Sequence, residues 1–138
     1  MRLASGDNHL ISVRDQIVFC QVWVRTDLSA EDGARNARQM VEYLLQNALQ
    51  EGSRYRGLVF DVRRGPAAFG PKTRDALLGL LSAASKIDMP VAILAGAAPI
   101  QVVQFKSLCS ASRARAEVFE SEAEAVRWFA QSRSIPPK

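Results

Sequence analysis

The sequence predicts a single-domain α/β fold, a mixed and mostly parallel sheet with helices packed on it, in the order β-β-α-β-α-β-α-β-α. Three observations predict it. From Ile17 onward, short runs of β-branched and aromatic residues alternate with amphipathic stretches of helical period. Two of the runs, Leu58-Val59-Phe60 and Val91-Ala92-Ile93-Leu94-Ala95, are apolar throughout, as strands buried on both faces are. Helix-start chemistry stands before each amphipathic stretch: Ser29, Pro71, Pro99 and Ser121.

Taken in order, residues 9–15 read as a short strand and Asp15-Gln16 as a turn. The next strand, Ile17 to Arg25, puts Val18, Cys20, Val22 and Val24 on one apolar face. Ile17, Phe19, Gln21, Trp23 and Arg25 share the other. Either the chain's own helix covers that second face, or Phe19 and Trp23 form an interface patch for a partner. Ser29 caps a helix whose stripe is Ala34, Ala37, Met40, Val41, Leu44, Leu45 and Ala48, and Gly52 stops it. A strand from Gly57 to Val62 leads to a helix from Gly70-Pro71 with Leu77, Leu80, Leu81 and Ala84 inward. After the Val91–Ala95 strand, Pro99 opens a helix with Val102, Val103 and Cys109 inward. Ala116 to Phe119 is a last strand. Ser121 and Glu124 make a capping box, with Glu124 expected to reach the Ser121 amide, before a helix carrying Ala125, Val126, Trp128 and Phe129. Residues 1–8 are expected to be a flexible N-terminus, 9–131 the domain, and 132–138 a flexible tail.

Composition narrows the function classes. The chain has 138 residues, 48% of them hydrophobic and 23% charged, with a net charge of +4. No apolar run reaches the roughly 18 residues of a membrane span, and the N-terminus lacks the apolar core of a signal peptide, so a cytoplasmic protein is expected. Basic residues are scattered among acids, which argues against a nucleic-acid surface. Cys20 and Cys109 read as reduced, buried thiols, and with His9 the sole histidine no metal site is expected. His9 reads as a surface residue. No Gly-x-Gly-x-x-Gly, Walker-type or Gly-x-Ser-x-Gly motif occurs. No cofactor and no catalytic residue is expected.

Two stretches carry a resemblance. "RGLVFDVRRG" is an apolar strand ending in an acid at Asp61, and "ARAEVFESEAEAVRWFA" is a short strand, a capping box and a helix with Ala125 and Trp128 facing in. With the order of elements, they resemble the STAS domain of sulfate transporters and anti-sigma-factor antagonists, in its STAS-like (SpoIIAA-like) variants, over residues 9–131. The resemblance implies a non-enzymatic regulatory module of bacterial signalling that binds a protein partner or dimerises. The chain departs from the family at the phosphorylation motif. Where an anti-sigma antagonist has Asp-Ser-Ser or Asp-Ser-Thr, Arg64 to Thr73 holds no serine, and Thr73 follows Lys72 rather than an acid.

The candidate rim lies at the carboxyl ends of the interior strands, where open parallel sheets bind ligands: Asp61, Arg63, Arg64, Phe69, Lys72 and Thr73. Two arginines beside helix N-termini suit a phosphate, which makes a nucleotide or other phosphate ligand the alternative function. The other reading has Asp61 capping loop amides and the arginines solvated or paired. Phe69, in a Gly/Pro-rich loop, either anchors a partner or folds back onto the core.

Overall fold

A computed structural model describes residues 2–25, 27, 29–96 and 98–134. Six strands form one mixed sheet, with four helices packed on it. The strands are β1 (Arg2–Ser5), β2 (His9–Arg14), β3 (Ile17–Trp23), β4 (Gly57–Arg64), β5 (Val91–Leu94) and β6 (Ala116–Phe119). They lie side by side in chain order. β1, β2 and β3 pair antiparallel, and β3 to β6 parallel. The helices are α1 (Ala30–Asn47), α2 (Pro71–Lys86), α3 (Pro99–Ser112) and α4 (Glu122–Ser134). Among the described residues no helix is long and apolar enough to cross a membrane.

The period of two in the interior strands divides the core. Leu58, Phe60 and Val62 of β4, with Val91 and Ile93 of β5, face the layer of α1, α2 and α3. Val59, Ala92 and Leu94 face the other way, onto Ala125 and Phe129 of α4. Each β-α-β step moves one strand along the same edge. With right-handed crossovers, this places three helices on one face and leaves the other to α4. α4 also buries Ile17, so the chain's own helix covers the start of β3's second face.

Local chemistry fixes the joints. Asp15 and Gln16 both take positive φ, 53° and 65°, the geometry of a two-residue hairpin turn. Ser29 Oγ accepts the Asp32 amide at 3.1 Å. Ser121 Oγ accepts the Glu124 amide at 3.3 Å, and its hydroxyl donates to the Glu124 carboxylate at 3.1 Å. In this capping box the carboxylate therefore takes the Ser121 hydroxyl, not the expected amide.

Four expectations are corrected. Residues 2–5, read as part of a flexible N-terminus, form β1: they pair with β2, Leu3 and Ala4 pack on the helix-side core, and the Tyr43 hydroxyl donates to the Leu3 carbonyl at 3.5 Å. α4 continues to Ser134, into the expected tail; residues 135–138, like Met1, lie outside the described residues. Val103 does not face inward. It is 65% exposed, and α3 buries Gln101, Phe105, Leu108 and Ser112 instead.

His9, the fourth, is buried at 3% exposure. It pairs across the ladder with Val22, and Gly6 lies against its ring so closely that a Cβ there would meet Cε1 at 2.3 Å. No described group bonds its Nδ1. Burial lowers its pKa from the usual 6.5, with Asp7 opposing. A histidine with a lowered folded pKa is kept neutral by folding. The unfolded chain therefore takes up the proton first as pH falls below 6.5, and stability drops from there. Urea melts from pH 7.5 to 5 should show this loss, and His9→Phe should flatten it.

Candidate functional site

β3 and β4 end together, and their ends help to build a cleft. β4 carries one residue more than β3 between the pairs Gln21–Asp61 and Trp23–Arg64, a bulge. The chain then turns at Gly65, whose amide donates to the Val62 carbonyl at 2.8 Å. A side chain at Gly65 would crowd that carbonyl at 3.1 Å and Val22 Cγ2 at 3.3 Å. Residues 65–70 cross to the start of α2, and α1 begins opposite. Between them lies a cleft of about 330 Å³. Its floor is core: Met40, Phe60, Val62, Leu77 and Phe105, each at most 4% exposed.

Two glutamines of α3, three residues apart, hold the loop. Gln101 is 1% exposed. Its Nε2 donates to the carbonyls of Val62 at 2.7 Å and Pro66 at 3.1 Å, and its Oε1 accepts the Gly96 amide at 3.0 Å. One side chain thus ties the end of β4, the loop after it and the loop after β5. Gln104 bonds both backbone groups of Phe69, accepting the amide at 3.1 Å and donating to the carbonyl at 3.2 Å. Phe69 folds back and is half-buried, its ring edge-on to Phe105 with centroids 5.2 Å apart.

The sheet divides the expected rim. Asp61 and Arg63 lie on the α4 side, joined in a two-point ion pair with Nε–Oδ1 at 3.0 Å and Nη2–Oδ2 at 2.9 Å. Asp61 Oδ1 also accepts the Arg63 amide at 3.1 Å. The side-chain bond to Asp61 raises the Arg63 pKa and holds the guanidinium in its charged form. The pair borders a second groove, about 230 Å³, with Gln21 and the ion pair Arg14–Glu122 at 3.1 Å. Phe19 lies there too, half-buried, with the Arg14 guanidinium 4.1 Å above its ring. Thr73 and Trp23 border the first cleft, both half-buried, while Arg64 and Lys72 are exposed beside it.

Sequence reasoning missed Gln101, Gln104, Asn36 and Gly33. The signal for Gln101 and Asn36 is a polar residue at a buried position of an amphipathic helix, which reads as an interruption of the apolar stripe. The cleft's lining among the described residues contains no Asp, Glu, His, Lys, Cys or Tyr. Its one charged side chain, Arg25, is paired with Asp27. Cys20 is buried, and burial raises its thiol pKa far above the usual value; Cys109 is pushed up to about 11. Both thiols are protonated near neutral pH and poor nucleophiles there.

No protein-family profile matches the chain, and no curated protein sequence matches it. Among solved structures it is similar to the NMR structure of the protein TM1081, with a TM-score of 0.58 and 12% identity over 94% of this chain and 95% of that one. At that identity the likeness is one of fold.

Proposed function

We propose that this chain is a non-enzymatic regulatory module of STAS-like type, of the kind used in bacterial signalling, and that it works by binding a protein partner. The element order from β2 to α4 is the one on which the resemblance to STAS domains rests. The observation that carries the reading is an apolar surface on a braced frame. Ile100 and Val103 of α3 are 53% and 65% exposed. They flank Gln101 and Gln104, which hold the exposed loop Pro66-Ala67-Ala68 in place. Single exposed apolar residues are ordinary; a grouped set on a rigid loop and helix is what an interface core needs. Arg64, Lys72 and Lys106 are exposed, and cations there suit an acidic partner.

The lining of the adjacent cleft supports binding over catalysis, since no acid–base pair is assembled in it among the described residues. The test is affinity capture from the source cells with wild type and with the double variant Ile100→Asp/Val103→Asp. A protein held by wild type should rebind in purified form, with affinity falling at least about tenfold in the variant. Equal affinity would contradict the proposal. Thermal stabilisation by a nucleotide that Arg64→Ala abolishes would favour the phosphate reading of the rim instead.

A further inference from the structure

The cleft between α1 and α2 has a chemistry of its own, distinct from the surface of α3. Four small residues of α1, Ala30, Gly33, Ala34 and Ala37, line it at helical spacing. They leave room where the second half of the same helix packs Met40, Val41 and Leu44 into the core. A Cβ placed at Gly33 would meet nothing within 4 Å. Glycine inside a helix is destabilising relative to alanine, so helix stability does not account for it. The volume, about 330 Å³, lies at the lower end of the roughly 300–1,000 Å³ of small-molecule sites.

Among the residues of α1 that line the cleft, one is polar. Asn36 is 7% exposed and lines the cleft. Its Nδ2 donates to the Asp32 carbonyl at 2.9 Å, which fixes the amide's orientation. That leaves Oδ1 as an acceptor to which no described residue donates. The acceptor is open at the cleft rather than sealed in the core, and a ligand that displaces water from it must supply a donor in its place. Across the cleft, the lining offers the half-buried Thr73 hydroxyl. Among the described residues the only charged side chain in the lining, Arg25, is already paired with Asp27, so a charge buried in the cleft would gain no partner from its walls.

We propose that this cleft binds a small, uncharged, mainly apolar molecule that donates one hydrogen bond, through an O–H or N–H, to Asn36 Oδ1. N-phenyl-1-naphthylamine is a suitable probe: neutral, apolar, fluorescent in apolar surroundings, and with a single N–H. Its fluorescence on titration should saturate at one molecule per chain. Gly33→Leu, which places a side chain in the cleft, should weaken binding at least about tenfold while its circular dichroism and melting stay those of a folded chain. The N-methylated probe, which lacks the donor, should bind wild type about tenfold more weakly than the parent, and the two probes should bind Asn36→Leu equally. The absence of saturable binding, equal binding by wild type and Gly33→Leu, or tighter binding of the anionic anilinonaphthalenesulfonate would each overturn the proposal. If no probe binds but the captured protein loses affinity for Gly33→Leu, the cleft receives a partner side chain, and the small-molecule assignment falls while the partner reading stands.

Discussion

Gln101→Leu should destabilise the protein by about 3 kcal/mol, although leucine matches the side chain in bulk and suits a helix. Gln101 is 1% exposed and bonds the Val62 and Pro66 carbonyls and the Gly96 amide. Leucine answers none of them. The Val62 carbonyl keeps the Gly65 amide as a donor; the other bonds are to Pro66 and Gly96. Those two residues are exposed and their bonds part-buried, while the Val62 bond is buried; three lost bonds at about 1 kcal/mol each give the total. Gln104 gives the contrast. It makes two bonds of the same kind to Phe69 but is only half-buried, so water can replace them, and Gln104→Ala should cost about 1 kcal/mol. Urea denaturation of both variants checks the difference. Equal costs would mean that the loop does not depend on the buried glutamine.

Phe129→Ala should cost about 3–5 kcal/mol. Phe129 is 1% exposed and, with Ala125, carries the packing of α4 on Ile17, Val59, Ala92 and Leu94. The three-helix side spreads its core over many side chains; the α4 side has few, so one deletion removes a large part of it. Gly57 shows how close the fit is: a Cβ there would lie 2.5 Å from Phe129 Cε1. Gly57→Ala should cost about 1–3 kcal/mol by overpacking. The costs should not add, because the smaller side chain at 129 makes room for the methyl at 57. The double variant should be no less stable than Phe129→Ala alone, as a denaturation cycle would show.

Much of the fold was legible in the sequence because its signals are local. Pro71 and Pro99 begin α2 and α3, and Ala116–Phe119 is a strand, as read. β1 was not legible. Arg2-Leu3-Ala4-Ser5 is too short to show alternation, and it is a strand through pairing with β2. The phase of α3 was misread because Gln101 and Ser112 occupy buried positions, while Val103, apolar and adjacent, faces solvent. The expected rim groups Asp61, Arg63 and Arg64 at the end of a strand from Gly57 to Val62. The strand runs to Arg64, so Asp61 and Arg63 obey the period of two and share the α4 face. The bulge between β3 and β4 and the cleft itself depend on register and on three elements meeting. No single stretch of sequence encodes either.

Hydrogen exchange of the chain, free and bound to the protein that wild type captures, tests the central claim most directly. The claim is that a partner docks on the loop after β4 and on the first turns of α3. Protection should appear at residues 65–70 and 99–106 and leave α4 and β6 unchanged. Protection confined to α4, to the Asp61–Arg63 groove or to the β1 edge would contradict it.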